Sequence, residues 1–185
     1  MNDNNSSVSS DFKSGKNLTL GLFCIIEEDV IVGDNVTIQN FSMIQKGSRI
    51  GNNTFIGTYS KIGENVVIGE NTRMTAYCEI RSNCKVGSNV SFGSRCTLSS
   101  YTIVEDNVIV KYGFVATDTP VLGKGEKKIC VLKKDSKYGA NVVIMPGITI
   151  GENAEIGACS QVRHDVGDNQ VWYGSPAKYF KNSKP

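Results

Sequence analysis

Histidine is almost missing from this 185-residue sequence, in which His164 is the only one. A three-histidine zinc site therefore cannot be built within one chain, and would need three subunits to contribute one ligand each. The six cysteines form no C-x-x-C pair, so a zinc-binding or redox motif is not supported either. We expect no metal site in this chain.

Long apolar runs and blocks of one charge are also missing. The N-terminal segment MNDNNSSVSSDFKSGKN is polar, so it is neither a signal peptide nor a membrane span. We interpret residues 1–17 as a flexible tail and expect a cytoplasmic protein without membrane insertion. The length suggests one domain. The net charge is +2 and no basic run is present, so we expect no nucleic-acid partner.

An apolar residue recurs at every sixth position. The step runs from Leu20 to Ala116, breaks, and resumes from Leu132 to Val162. In its most regular part, the repeating residues are Ile50, Ile56, Ile62, Ile68, Met74, Ile80 and Val86. Neither the helical period of 3.6 nor the strand period of 2 produces a strict six. A short repeat of this kind is typical of a solenoid.

A second repeat, of 18 residues, marks the corners of the solenoid. Asparagine returns three places after the apolar residue, at Asn35, Asn53, Asn71, Asn89 and Asn107. Because Asn tolerates positive φ, this position is expected to turn the chain. Three hexads then make one 18-residue coil with three flat faces, and successive coils stack at about 4.8 Å.

Two further sets of residues follow the 18-residue repeat. Phe23, Phe41, Tyr59 and Tyr77 should form an aromatic row on an outer edge, which either stiffens the coils or contacts another subunit. The residue four places after the apolar position should be small and buried, and four cysteines occupy it: Cys24, Cys78, Cys84 and Cys96. Cys159 falls at a turn, where partial exposure is expected, and Cys130 lies in the interruption, which makes it a second candidate for exposure.

The motif aliphatic–Gly–x–x–small–x resembles the hexapeptide-repeat acyltransferases over roughly residues 20–166. The resemblance implies an all-β fold, a left-handed parallel β-helix of 18-residue triangular coils over residues 18–166. General chain sterics favour right-handed crossovers, so the handedness comes from the resemblance alone. It also implies a homotrimer with acetyl-CoA in the groove between two subunits. A loop at about 117–131 interrupts the coils, and a C-terminal tail over 167–185 is expected to complete the coenzyme site.

The C-terminal sequence resembles the closing coils of acetyl-CoA-dependent members. The matching segments are YGANVVIMPGITIGENAEIGACSQVRHDV and WYGSPAKYFK. The small Ala140 and Ala158 stand where the pantetheine arm passes, and Arg163–His164 replace the usual Thr–Lys pair. Basic residues here suit the coenzyme's phosphates. The coenzyme-binding residues implied by position are Ala140, Ala158, Arg163, His164, Lys178 and Lys181.

The inserted sequence TDTPVLGKGEKKICV is too polar for the core. In the family, a loop at this point reaches over the active site and the catalytic histidine lies near it, whereas this chain has Thr117–Asp118–Thr119. A sugar hydroxyl needs a positioned base, but an amine attacks a thioester unaided once it is oriented. Asp118 is therefore the catalytic candidate, as an orienting group or a base. The alternative is that Asp118 caps the loop.

A polar strip leads to that loop. Arg81, Ser99 and Thr117 are spaced by 18 residues, so they should stack on one corner. Arg81 is the candidate to face a nucleotide diphosphate, and Arg95 on a neighbouring corner is a second candidate. The predicted substrate-binding residues are thus Arg81, Arg95, Ser99 and Thr117, against the alternative of ordinary solvated corners.

These observations predict an acetyl-CoA-dependent N-acetyltransferase. Its substrate would be the amino group of a nucleotide-linked deoxyamino sugar, a dTDP or UDP derivative, used for bacterial surface glycans. One alternative is a sugar O-acetyltransferase of the same fold with Asp118 as base. The other is a non-catalytic β-helical scaffold, which the missing histidine favours and the coenzyme-type C-terminus disfavours.

Overall fold

The computed structural model describes residues 5–183, which form a solenoid of about nine turns. No helix capable of crossing a membrane occurs within this range. The strands are β1 (Ser7–Val8), β2 (Lys13–Ser14), β3 (Thr19–Leu20), β4 (Ile25–Ile26), β5 (Ile31–Val32), β6 (Thr37–Ile38), β7 (Met43–Ile44), β8 (Arg49–Ile50), β9 (Phe55–Ile56), β10 (Lys61–Ile62), β11 (Val67–Ile68), β12 (Arg73–Met74), β13 (Glu79–Ile80), β14 (Lys85–Val86), β15 (Ser91–Phe92), β16 (Thr97–Leu98), β17 (Ile103–Val104), β18 (Ile109–Val110), β19 (Val115–Ala116), β20 (Val131–Leu132), β21 (Lys137–Tyr138), β22 (Val143–Ile144), β23 (Thr149–Ile150), β24 (Glu155–Ile156), β25 (Gln161–Val162), β26 (Gln170–Gly174) and β27 (Ala177–Asn182).

Every third strand joins the same sheet, which gives the solenoid three faces. Sheet A consists of β1, β4, β7, β10, β13, β16, β19, β22 and β25. Sheet B consists of β2, β5, β8, β11, β14, β17, β20 and β23. Sheet C consists of β3, β6, β9, β12, β15, β18, β21 and β24, followed by β26 and β27. The predicted left-handed parallel β-helix is confirmed.

The hexad repeat explains why most strands are only two residues long. The second residue of a strand points inward, as in β10, where Lys61 is exposed and Ile62 is fully buried. Ile62 pairs with Ile44 on one side and Ile80 on the other. Burying one such aliphatic side chain stabilises the fold by about 1.5–3 kcal/mol. The inward column along each face therefore forms one continuous core.

The corners follow the predicted asparagine pattern. Asn35, Asn53 and Asn71 have φ of 57°, 55° and 55°, a left-handed conformation that Asn adopts more readily than most residues. Their side chains also form a ladder, since the Asn35 Nδ2 donates to Asn53 Oδ1 at 3.0 Å and the Asn53 Nδ2 donates to Asn71 Oδ1 at 3.0 Å. On this corner, between sheets B and C, successive coils are thus hydrogen-bonded through side chains as well as the backbone.

The aromatic row also forms as predicted. Phe23, Phe41, Tyr59 and Tyr77 stack on the corner between sheets C and A. The centroid distances are 5.2, 4.7 and 5.2 Å, and the rings are within 7° of parallel. These rings are about half exposed, so the row lies on an outer edge of the solenoid.

The expected boundary of a flexible tail at residue 17 is wrong for the described residues. β1 and β2 already belong to sheets A and B and pair with β4 and β5. The coil extends into this polar segment because its ladder uses backbone groups, as when the Ser7 N–H donates to the Cys24 carbonyl at 2.8 Å. Val8 and Phe12 also pack against the core. Residues 1–4 of the expected tail lie outside the described residues.

The C-terminal tail forms a β-hairpin. β26 adds to sheet C parallel to β24, and β27 returns antiparallel to β26. Trp172 packs against the core and Ala177 is buried, so the hairpin covers the last coil. Residues 184–185 of the expected tail lie outside the described residues.

The inserted loop leaves sheet A after β19 and rejoins the solenoid at β20. Residues 120–129 are all exposed, as their polarity predicted. The expectation of an exposed Cys130 is wrong, because its side chain is fully buried. Cys130 lies two places before Leu132, at the small inward position of the resumed repeat, and its Sγ donates to the Thr117 carbonyl at 3.2 Å. The other five cysteines are as predicted, with only Cys159 exposed.

Candidate functional site

The corner between sheets A and B carries the polar strip. β13, β16 and β19 are consecutive in sheet A, so the residues that follow them stack in adjacent coils. This register brings Arg81, Ser99 and Thr117 into one row and places Asp118 where the loop leaves the coil. The strip and the loop therefore form one continuous surface.

Asp118 closes the neck of the loop. The residue as a whole is only 8% exposed. Oδ1 accepts a hydrogen bond from the Thr119 hydroxyl at 2.9 Å, and Oδ2 lies 2.9 Å from the Lys127 ammonium. Burial raises the pKa of this carboxyl group, but the Lys127 ammonium and the Thr119 hydroxyl outweigh burial and hold its pKa below 3.8. Asp118 is thus an ionised, paired carboxylate.

Thr117 and Ser99 both make hydrogen bonds that stabilise the coil. The Thr117 hydroxyl donates to the Ile144 carbonyl of the next coil at 2.8 Å. Ser99 is 8% exposed, and its carbonyl accepts a hydrogen bond from the Thr102 hydroxyl at 2.7 Å. Of the strip residues, Arg81 is the one whose charged end faces solvent. Its Nε lies 3.6 Å from the Glu79 carboxylate.

A polar cavity of about 310 Å³ lies beside the strip, beneath the loop. Arg81 contributes one cationic wall and Lys127 reaches into it from the loop. Three cations and one carboxylate line this cavity together with neutral polar groups. Its lining residues are Gln45, Lys61, Gly63, Glu79, Ile80, Arg81, Ser82, Ser100 and Lys127.

Arg95 does not reach this cavity. It lies on the corner between sheets C and A, above the aromatic row, with its guanidinium 5.8 Å from the Tyr77 ring centroid and 5.9 Å from that of Tyr112. Within one chain, Arg81 and Arg95 therefore occupy different corners, and stacking on tyrosine rings is the interaction that Arg95 makes.

The two predicted pantetheine alanines stack on one corner. Ala140 and Ala158 occupy the same position in successive coils, and the Cys159 N–H donates to the Ala140 carbonyl at 2.8 Å. A largely apolar groove of about 430 Å³ runs beside them on sheet C. Its lining residues are Ile109, Lys111, Lys137, Tyr138, Gly139, Glu155, Ile156, Gly157 and Val171.

The remaining coenzyme candidates lie elsewhere on the chain. Arg163 and His164 are exposed on the corner between sheets A and B, two coils beyond Asp118. Lys178 and Lys181 are exposed on β27. One chain thus brings Ala140 and Ala158 together with the groove but does not bring all six candidates into a single site.

Sequence reasoning missed two cations of the polar cavity. Lys61 lies opposite Glu79 on the adjacent strand of sheet A. Stepping by 18 residues along the outward-facing positions would therefore have identified Lys61. Lys127 belongs to a loop without periodicity, so no sequence signal predicts that it returns to Asp118.

Comparison with known proteins agrees with the fold. Residues 47–82 and 129–164 match the family described as bacterial transferase hexapeptide (six repeats). In these two ranges, the chain carries hexapeptide repeats like those of this family. Among solved structures, the UDP-N-acetylglucosamine acyltransferase from Campylobacter jejuni superposes with a TM-score of 0.79 at 16% identity, covering 96% of this chain and 73% of that protein. At this identity the likeness concerns the fold alone.

Two curated relatives are similar over shorter stretches. A galactoside O-acetyltransferase from Lactococcus lactis is 37% identical over 62 residues, which are 34% of this chain and 30% of that protein. The dTDP-3-amino-3,6-dideoxy-alpha-D-galactopyranose 3-N-acetyltransferase from Aneurinibacillus thermoaerophilus is 46% identical over 48 residues, 26% of this chain and 25% of that protein. The chain spans less than a third of the length of these relatives.

Proposed function

We propose that this protein is an acetyl-CoA-dependent N-acetyltransferase acting on the amino group of a nucleotide-linked deoxyamino sugar, a dTDP or UDP derivative. The proposal includes a role in bacterial surface-glycan synthesis in the cytoplasm. One observation carries it: the acidic group at the loop, Asp118, is neutralised by Lys127, and the only histidine, His164, stands two coils away, at roughly 10 Å.

This arrangement favours an amine over a hydroxyl as the nucleophile. A carboxylate with a lowered pKa is a weak base, and efficient general-base catalysis needs a pKa near the working pH. The Asp118 Oδ2 is also covered by the loop, so it reaches a substrate only if Lys127 moves. We therefore assign Asp118 a positioning role, as the residue that holds the loop over the bound sugar.

The reaction needs little more than orientation. The neutral amine attacks the thioester carbonyl, a C–N bond forms, and the C–S bond breaks with its electron pair going to sulfur. One proton leaves the nitrogen and one joins the coenzyme sulfur, so the step balances without an oxidant or a metal. Holding the two reactants in contact can supply several kcal/mol of the acceleration, about 7–11 in well-oriented systems.

Coenzyme binding and a trimer belong to the same proposal. The apolar groove beside Ala140 and Ala158 suits the pantetheine arm, and the exposed Lys178 and Lys181 suit the phosphates. Because Arg163 and His164 lie on another corner, a second subunit is needed to bring both sets to one coenzyme. Light scattering at micromolar concentration should therefore give three times the chain mass, and a monomer would argue against this coenzyme site.

A sugar O-acetyltransferase is the second candidate. The similarity to the galactoside O-acetyltransferase favours it, and the weak basicity of Asp118 disfavours it. The two candidates differ in the atom that is acetylated, which product analysis distinguishes.

The deciding experiment incubates the protein with acetyl-CoA and a panel of dTDP- and UDP-amino sugars, each matched with its hydroxyl analogue. We expect release of the coenzyme thiol and a product heavier by one acetyl group with the amino sugars only. Acetylation of the hydroxyl analogues at equal rates would favour the second candidate. If no sugar of either kind stimulates thiol release, the proposed function is wrong.

A further inference from the structure

The polar cavity beneath the loop concentrates positive charge. Lys61, Arg81 and Lys127 line it together with the Glu79 carboxylate, and the Asp118 carboxylate lies 2.9 Å from Lys127, so three cations face two carboxylates. Lys61 takes part in none of the ion pairs found among residues 5–183. Arg81 is held toward the cavity by Glu79 at 3.6 Å. Clustered cations around a concave surface attract anions more strongly than the same cations apart.

The lining of the cavity also includes neutral polar groups. The Ser82 hydroxyl oxygen accepts a hydrogen bond from the Glu64 N–H at 3.2 Å, which leaves its O–H available to donate to a ligand. Gly63 approaches the next coil so closely that a Cβ would lie 2.5 Å from the Ser82 backbone nitrogen. A glycine at this position therefore allows the two coils to pack closely where they line the cavity.

We propose that this cavity binds a phosphoryl group, and that Lys61, Arg81 and Lys127 are its ligands. Arg81 presents a planar fork of donors and the two lysines present point charges, a combination that suits phosphate oxygens. This inference rests on the proposed function, because the expected source of the phosphoryl group is the diphosphate of a nucleotide sugar. The phosphates of coenzyme A have the same chemistry and are the alternative source.

Lys127 links this site to the loop. Its ammonium lies 2.9 Å from Asp118, and because an ammonium has three N–H donors, Lys127 can hold Asp118 and a phosphoryl oxygen together. Binding would then tie the loop to the coils by a second contact. The bound phosphoryl group should therefore order the loop as well as anchor the ligand.

The test measures binding by calorimetry without turnover, using dTDP, UDP and coenzyme A as separate probes. Lys61→Ala and Arg81→Ala are compared with Lys85→Ala, a matched control because Lys85 occupies the same outward strand position on sheet B. We expect each cavity variant to raise the Kd for dTDP or UDP about tenfold or more, as for a lost charged hydrogen bond. The control should bind as the wild type does, and all variants should keep the wild-type thermal transition.

A second readout follows the loop. Hydrogen exchange at residues 119–129 should slow when dTDP or UDP is added to the wild type and should slow less in Lys127→Ala. The slowing of exchange in the wild type alone shows whether the bound nucleotide orders the loop, so this measurement does not depend on the stability of any variant.

The outcomes separate the site from the activity. If coenzyme A binding weakens in Lys61→Ala and Arg81→Ala while dTDP and UDP binding does not, the phosphoryl site stands and its ligand is the coenzyme. If none of the three probes loses affinity, the site is overturned. A protein that binds dTDP here but acetylates no amino sugar would refute the proposed function and retain the site.

Discussion

Asp118 clamps the returning arm of the loop through both its side chain and its backbone. Its Oδ2 lies 2.9 Å from Lys127 Nζ, and its carbonyl accepts a hydrogen bond from the Lys128 N–H at 2.8 Å. The chain that leaves the coil after Asp118 therefore comes back to contact Asp118 at Lys127 and Lys128. The two ends of the loop are therefore held together, and the contact between them includes one ion pair.

The first prediction concerns the pH at which the neck opens. The folded pKa of Asp118 lies below its ordinary 3.8, so the ion pair contributes fully above pH 3.8 and is lost as the pH falls through the folded value. Hydrogen exchange of loop amides, corrected for intrinsic rates, should be protected equally from pH 8 to 5 and lose protection below about pH 3.8. Asp118→Asn should remove this step while the core amide of Ile62 remains protected. Loss of protection between pH 8 and 5 would contradict the assignment.

The second prediction concerns Asp118 in turnover. If it positions the loop, Asp118→Asn should lower kcat less than about 100-fold, below the range of roughly 10²–10⁴ that a lost general base costs. Asp106→Asn is a suitable control. Asp106 lies on a different corner from Asp118, and its carboxylate accepts a hydrogen bond from the Ser88 N–H. Steady-state kinetics on one accepted sugar checks both variants. A loss well inside the general-base range would restore Asp118 as the base.

The third prediction tests the coenzyme groove. Ala158→Trp should fill the space beside the apolar groove and abolish measurable acetyl-CoA binding, with little change in the thermal transition because Ala158 is exposed. Ala76→Trp is the matched control, since Ala76 occupies the same corner position several coils earlier. Unchanged coenzyme affinity in Ala158→Trp, measured by titration, would refute the placement of the groove.

The fourth prediction separates binding from chemistry at His164. We expect His164→Ala to raise the KM for acetyl-CoA and leave kcat nearly unchanged, because a contact to the far end of the coenzyme is equally strong in the ground and transition states. The measurement is a full acetyl-CoA titration at saturating sugar. A kcat about a thousandfold lower at saturating coenzyme would instead indicate a histidine-based mechanism.

The fifth prediction follows from the buried position of Cys130. Burial raises the pKa of its thiol, and a buried, protonated thiol reacts slowly. Brief treatment of the native protein with iodoacetamide should therefore modify Cys159 alone, and all six cysteines should react after denaturation. Peptide mass spectrometry gives the sites. Modification of Cys130 at the rate of Cys159 would mean that the loop opens far more than its clamp suggests.

The sequence predicts most of the coil but little of the loop. The inward column through Ile44, Ile62 and Ile80 follows from the hexad because the same side chain meets the same neighbours in every coil. Polar β2 escaped detection because Ser14 breaks the apolar step, although its backbone still pairs with β5. Lys127 was unpredictable for a different reason, since the contact with Asp118 depends on a path that no repeat describes.

Cys130 illustrates a case in which the information was present and the boundary was misplaced. The repeat resumes at Leu132, and the inward small position lies two places earlier. Counting backward from the resumed phase, rather than forward into the loop, assigns Cys130 to the core. The coenzyme residues could not be assembled in the same way, because Ala158 and His164 lie on different corners of one chain.

The 18-residue coil fixes the spacing of functional groups in discrete steps. Each coil advances the axis by about 4.8 Å, so Asp118 and His164 can approach or separate only by whole coils. Deleting residues 133–150 would remove β21, β22 and β23 and bring His164 one coil closer, with every inward residue still inward. Deleting one residue fewer would turn the following side chains to the opposite face. The distance between two functional residues along the solenoid axis can therefore change only by whole coils, that is, by insertion or deletion of complete 18-residue repeats.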